Sequence, residues 1–203
     1  CRDFIFVAVG TGVGMALFLN GALYRGGRFA AGELGHILID PAADAPTCAC
    51  GRTGCLEAIA SGPAMAARFR QLAGQAGLGA EACSADLARM AAWLTADDPH
   101  GELARAVVSA GAQALGKGLS IAANLFDPQR IVLGGGVARL GSVWQAGVRA
   151  GLAHHTLRPL RESDIHPPRL GDDSALAGAL ALARALPAPA GAGETAAGRE
   201  NRD

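Results

Sequence analysis

Gly32-Glu33-Leu34-Gly35-His36 and, after a short spacer, Cys48-Ala49-Cys50-Gly51-Arg52-Thr53-Gly54-Cys55-Leu56-Glu57 form the stretch on which the fold turns. One imidazole and three thiols fill the positions of a tetrahedral zinc ion completely. A site closed by His36, Cys48, Cys50 and Cys55 leaves no position for water, so the metal expected there is structural. Cys48 and Cys50 are too close in the chain for an easy disulfide. Gly51 and Gly54 let the loop fold back so that Cys55 joins the pair. A disulfide framework is the weaker reading, because five cysteines leave one unpaired. Thiols committed to zinc suit a reducing compartment, and a cytoplasmic protein is expected.

Two carboxylates flank these ligands. Glu33 stands three residues before His36, and Glu57 two after Cys55. Carboxylates accept hydrogen bonds from hydroxyls, and a zinc-bound imidazole has a second ring nitrogen to offer, so a polyol such as a sugar suits the set. Glu57 can equally serve the positive end of a helix beginning near Leu56, and Glu33 can be a solvated loop residue. Two glycine turns invite a similar double reading. Gly10-Thr11-Gly12-Val13-Gly14 separates two strand-like runs and is either an ordinary hairpin turn or a phosphate-binding one. Leu133-Gly134-Gly135-Gly136-Val137 lies between a strand and a helix, where a ligand can approach a sheet or a helix can simply pack closely on it.

Together these motifs resemble the ROK family of bacterial sugar kinases and sugar-responsive repressors. The resemblance runs from about Phe4 to Leu186. It takes in GELGH, CACGRTGCLE, GTGVG, NGALYRG (Asn20 to Gly26), FDPQRIVLGGGV (Phe126 to Val137) and LGDDSALAGALALA (Leu170 to Ala183). It implies an α/β chain of the ribonuclease H-like, actin-like ATPase fold, specifically its C-terminal lobe, with an inserted zinc loop. It implies zinc on His36, Cys48, Cys50 and Cys55, and sugar contacts from Glu33, His36 and Glu57. It also implies a phosphate turn for Mg-ATP at Thr11, Gly12 and Gly14, and Gly134, Gly135 and Gly136 bordering the adenosine. Its partners would be a hexose and ATP, in a homo-oligomeric parent. Glucose leads among the sugars, with N-acetylhexosamines and fructose open. One departure from the family pattern is Met15, which stands where a small residue is usual and would either crowd the phosphates or face the core.

The family's kinases carry a further lobe and an aspartate base shortly before the glycine turn. Asp3, the only acid before Gly10, matches no base segment and reads as a solvated charge at a strand entry. Residues 1–186 are therefore expected to be one lobe, with zinc loop near 36–57, and 187–203 a disordered tail. No catalytic residue is assigned within the chain, and it is expected to be inactive alone. The alternative is the sugar-sensing part of a ROK repressor, and DNA is a partner only in that case.

Composition agrees. The 203 residues are half apolar, with 18 basic and 18 acidic side chains. That length supports one substantial core, and zero net charge provides no basic footprint for nucleic acid. No apolar run approaches a membrane span. Strands are expected at Phe4–Val9, Met15–Leu19, His36–Ile39, Arg130–Leu133 and Asp164–His166. Helices are expected at Gly62–Gln75, Ser84–Thr95, Gly101–Leu125, Leu140–Ala153 and Ser174–Leu186. Pro128 bars continuation of the long helix. His154 and His155 read as residues complementing a helix C-terminus, and Cys83 as a packing residue.

Overall fold

The computed structural model describes residues 1–160 and 164–185. It divides into a unit spanning Cys1–Pro168 and a second beginning at Arg169. The tail expected at 187–203 lies outside the described residues, as does Leu186.

The first unit is built on a five-stranded mixed sheet in the order β3-β2-β1-β4-β5. Strand β1 (Phe4–Val9) and β2 (Val13–Leu19) form an antiparallel hairpin, with Val9 opposite Val13 across the glycine turn. Ile5, Val7 and Val9 alternate inward and are wholly buried, as a half-buried strand requires. β3 (Ala22–Tyr24) adds an antiparallel edge. It follows a tight turn in which Asn20 and Gly21 both have positive φ, 56° and 79°, the combination favoured in two-residue hairpin loops. Asp3 is more than a solvated charge: its Oδ1 accepts the Asn20 N–H at 2.6 Å, tying this turn to the start of β1. β4 (Arg130–Gly134) and β5 (Ile165–His166) continue the sheet in parallel on the other side of β1.

The helices lie mainly between β2 and β4 in sequence: α1 (Glu57–Ala60), α2 (Gly62–Gln75), α3 (Ala80–Cys83), α4 (Leu87–Trp93) and α5 (Pro99–Phe126), with α6 (Ser142–His155) after β4. α5, 28 residues long, starts at Asp98, whose carboxylate accepts the Gly101 N–H at 2.8 Å, with Pro99 in the first turn. It ends at Asp127, held in the left-handed region at φ 43°, just before Pro128. α5 packs on α6 at backbone contact. A Cβ on Gly116 would collide with the Val148 carbonyl, and one on Gly151 with the Gln113 carbonyl. Leu115, Leu119, Val148 and Leu152 complete that seam and are at most 2 % exposed. In the second unit a short 3₁₀ turn, Gly171–Asp173, leads into α7 (Ser174–Ala185).

Two expected elements come out differently. Leu34–His36 is a 3₁₀ turn, and the segment after it is no sheet strand. It pairs locally with the cysteine loop through the Leu38–Cys55 bridge, with the Leu56 N–H donating to the Ile37 carbonyl at 3.0 Å. The helix expected over 84–95 is shorter, Leu87–Trp93, because Asp86 caps it by accepting the Arg89 N–H at 2.8 Å; a separate short helix, α3, ends before it at Cys83. No helix among the described residues is long and apolar enough to cross a membrane.

Candidate functional site

The cysteine loop is a compact hairpin. The Cys48 N–H donates to the Arg52 carbonyl at 2.7 Å, the Gly51 N–H donates back to the Cys48 carbonyl at 2.9 Å, and Thr47 bridges Thr53. Gly51 and Gly54 take positive φ, 85° and 77°, which the reversal requires. Lys117 on α5 pins the loop's entrance, donating from Nζ to the Ile39 carbonyl at 2.7 Å.

This folding brings the ligand atoms of His36, Cys48, Cys50 and Cys55 all within 4.8 Å of one another. The Cys50 and Cys55 sulfurs are 3.7 Å apart, and Cys48 Sγ is 3.6 Å from His36 Nδ1. Zinc–sulfur bonds of about 2.3 Å and zinc–nitrogen bonds of about 2.0 Å, set at the tetrahedral angle, place two sulfurs about 3.8 Å apart and a sulfur and nitrogen about 3.5 Å apart. Those two separations therefore match edges of a zinc tetrahedron, and the donor types suit zinc. A disulfide would need sulfurs about 2.05 Å apart, and all these cysteines are free.

Arg52 was not marked in the sequence and stands beside the cluster. Its guanidinium donates to the His36 carbonyl at 2.9 Å. Its backbone N–H and then its side chain, both bonded to the Cys50 sulfur, hold that thiol down to about 6. Burial pushes the Cys55 thiol up to about 11, with the neighbouring thiols adding to the effect. A Cys₃His zinc site carries a net negative charge, which the Arg52 cation offsets.

His36 presents its two nitrogens in different directions. Nδ1 faces Cys48, and Nε2 lies 3.8 Å from Glu33 Oε2. Metal on Nδ1 would fix the ring and leave Nε2 for a ligand. Glu33 is two-thirds exposed, ahead of the buried Leu34 and Gly35. Glu57 opens α1, and its Oε2 accepts the Val13 N–H at 2.9 Å. A Cβ on Gly12 would lie 2.6 Å from that same oxygen, and one on Gly35 would lie 3.3 Å from the Glu57 Cβ. Glu57 is thus wedged between the GTGVG turn and the GELGH turn, and only glycine leaves it room on either side.

The six glycine-turn residues separate in space. Thr11 and Gly136 border one cleft of about 500 Å³, together with Gly10 and Val137, while Gly12 sits against Glu57 and does not line it. Gly14 lies on exposed β2 backbone, Gly134 packs near Phe6 and Pro168, and Gly135 presses on the Val9 backbone at φ 93°. The far wall of the cleft comes from residues the sequence did not mark. Pro63 and Ala66 of α2 face Leu87 of α4, with Arg70 and Asp86 alongside. Arg70 is anchored by donation to the Ala85 carbonyl at 3.0 Å. Met15 borders a separate apolar groove with Leu17, Leu34, Ile37 and Ile121, so its side chain belongs to the packing and not to the glycine turn.

The ROK family model matches residues 1–186. The chain belongs to the ROK family. It is 37 % identical over 184 residues to an N-acetylmannosamine kinase of Salmonella typhi, a match covering 90 % of this chain and 57 % of that protein. A ROK family glucokinase from Streptomyces griseus, solved with glucose and AMPPNP, superposes with a TM-score of 0.77 at 30 % identity. That match covers 91 % of this chain and 61 % of the glucokinase. A ROK family transcriptional regulator, a homologue of the E. coli MLC protein, superposes with a TM-score of 0.69 at 28 % identity, over 82 % of this chain and 41 % of that one. The chain spans less than two thirds of the length of each of these relatives. Its mixed α/β architecture is the ROK, actin-like ATPase fold. Its His36, Cys48, Cys50 and Cys55 cluster matches the chemistry of the family's zinc motif.

Proposed function

We propose that this chain is part of an ATP-dependent hexose kinase, in which it provides the sugar-holding surface and one side of the nucleotide cleft. The observation that carries the reading is Glu57. It follows the last cysteine of the cluster by two residues and accepts the Val13 N–H of the glycine turn at 2.9 Å. One carboxylate therefore couples the zinc loop to the turn bordering the cleft.

In this reading Glu33, His36 Nε2 and Glu57 receive the sugar hydroxyls, and their contribution is orientation. Zinc, when bound, supplies no bond-making chemistry; it fixes the His36 ring and the loop. Thr11, with the backbone of Gly10 and Gly136, holds phosphate oxygens of Mg-ATP. Pro63, Ala66 and Leu87 offer apolar surface for the base. The general base is proposed to come from outside residues 1–203. Asp86 is engaged as a helix cap, Glu57 with Val13, and Asp3 with Asn20. Residues 1–203 alone should then fail to turn over.

Glucose and N-acetylmannosamine are the substrates to try first, since the relatives named above include a kinase for one and a glucose-bound enzyme for the other. The test is hexose-dependent ADP release by the full-length protein with Mg-ATP, beside residues 1–203 alone. Release with one of these sugars by the full-length protein supports the reading. Equal turnover by residues 1–203 would place the base within them. The likeness to a ROK regulator favours a second reading, a sugar-responsive repressor. Hexose binding without ADP release would select it.

A further inference from the structure

The three thiols of the cluster are not equally sheltered. Cys48 and Cys55 are 5 % and 1 % exposed, while Cys50 stands on the outer side of the loop, open to solvent. Its sulfur is also the one that the Arg52 backbone N–H and guanidinium lie against. A cation and hydrogen-bond donors beside an accessible sulfur make a nucleophilic cysteine, whereas buried structural thiols are inert. The Cys55 sulfur lies 3.7 Å from that of Cys50, while Cys48 Sγ is turned to His36 Nδ1 at 3.6 Å. An accessible sulfur with a sheltered second one at contact distance is the pairing that redox-sensing cysteines use.

The turn between the pair leaves room for it to close. Gly51, Arg52, Thr53 and Gly54 separate Cys50 from Cys55. A disulfide needs its sulfurs about 2.05 Å apart, so the pair must approach by about 1.7 Å from 3.7 Å. Gly51, next to Cys50, faces open space: a Cβ there would meet no atom within 4 Å. Cys55 is held more firmly. Its neighbour Gly54 packs on the Asp40 carbonyl, and Cys55 itself is bridged to Leu38. Cys50 is therefore the side with room to move.

We propose that the zinc loop is a redox switch, in which a hydroperoxide joins Cys50 to Cys55 and zinc is released. The Cys50 sulfur attacks the terminal oxygen of the hydroperoxide. An S–O bond forms, the O–O bond breaks, and the alcohol (water, for hydrogen peroxide) leaves with a proton from solvent. The Arg52 guanidinium stabilises the departing oxygen. The Cys55 sulfur then attacks the Cys50 sulfur. The S–S bond forms, the S–O bond breaks, and the hydroxide takes a second proton from solvent. The two sulfurs together lose two electrons, and the hydroperoxide gains them. His36 and Cys48 remain as two ligands of four, too few to hold a structural zinc. A thiol reductant with zinc reverses the change. The switch does not depend on the kinase reading, although the loop it alters begins at His36 and is followed by Glu57.

The test exposes zinc-loaded full-length protein to a small excess of hydrogen peroxide. Zinc is followed with a chromogenic indicator, and disulfides by peptide mass mapping. Trypsin cuts after Arg52, so the expected disulfide appears as two joined peptides, and fragment ions tell Cys50 from Cys48. About one zinc per chain should be released in step with the Cys50–Cys55 disulfide. Dithiothreitol and then zinc should restore the starting state. Arg52→Gln changes no ligand; it should load with zinc normally and release it at least about fivefold more slowly under the same peroxide. Cys50→His keeps four donors without the accessible sulfur and should hold its zinc; the map of the wild-type protein decides the pairing whether or not this variant loads. Zinc retained by the wild-type protein overturns the proposal. So does release with Cys48 in the disulfide, release with no disulfide, or release from Arg52→Gln at the wild-type rate.

Discussion

Replacing Glu57 separates the contact that the structure shows from the sugar role proposed for the same carboxylate. Its Oε2 holds the glycine turn through Val13 at 2.9 Å, and its charge is proposed to receive a sugar hydroxyl. Glu57→Gln keeps an amide oxygen able to accept the Val13 N–H, so the turn retains a neutral hydrogen bond. The difference between a charge-assisted bond and a neutral one is about 1 kcal/mol, which for a chain of this size lowers Tm by roughly 2–4 °C. Glu57→Ala removes the acceptor and strands a part-buried N–H. That costs about 1.5–3 kcal/mol and roughly twice the shift in Tm. Sugar affinity should not follow the same order. Gln already lacks the charge, so both variants should lose roughly 10- to 150-fold in hexose affinity, equivalent to about 1.5–3 kcal/mol. Zinc content should stay normal in both, since Glu57 is no ligand. The assays are calorimetric hexose titration and thermal melting of the full-length protein. Wild-type hexose affinity in Glu57→Gln would refute the sugar role and leave Glu57 as a turn brace alone.

The other expectations follow from single contacts. Cys50→Ser should bring zinc, measured by elemental analysis, from about one per chain to well below it and lower Tm, because a closed four-ligand site does not survive loss of a thiolate. Zinc affinity should fall with falling pH. Protons compete for the thiolates, and Cys55, whose thiol burial pushes up to about 11, takes one most readily; a metal titration at several pH values checks this. Gly151→Leu should abolish cooperative folding or lower Tm steeply in a circular dichroism melt, because the side chain would enter the Gln113 backbone across the α5–α6 seam. Leu87→Asp should weaken ADP binding while leaving hexose binding intact, since Leu87 borders the cleft and not the Glu33–His36–Glu57 group.

Some elements were legible because their pattern was local. β1 and β2 alternate cleanly around a glycine turn, and α2 and α5 keep helical spacing between strong caps and stops. β3 was missed because all three of its residues are exposed, so it carries no buried alternation. The helix expected from Ser84 starts only at Leu87, where the Asp86 side chain caps it, and the short α3 before it went unmarked. The metal cluster was readable because ligand type and spacing sit in one short stretch. The contact of Glu57 with Val13 was not, since 44 residues separate them. Nor did the sequence mark Arg70, Asp86 and Leu87, which reach the glycine turns only through the packing of α2 and α4. The orientation of Met15 likewise waited on the strand register that pairs it with Val7.

The account rests on a sugar held by residues that a zinc loop positions. Its most direct test is a calorimetric titration of glucose and of N-acetylmannosamine into the full-length protein, first zinc-loaded, then stripped with a chelator, then reloaded. The prediction is saturable binding of at least one sugar to the loaded protein, loss of that binding on stripping, and its return with zinc. Absence of hexose binding to the loaded protein, or binding that stripping leaves unchanged, would contradict it.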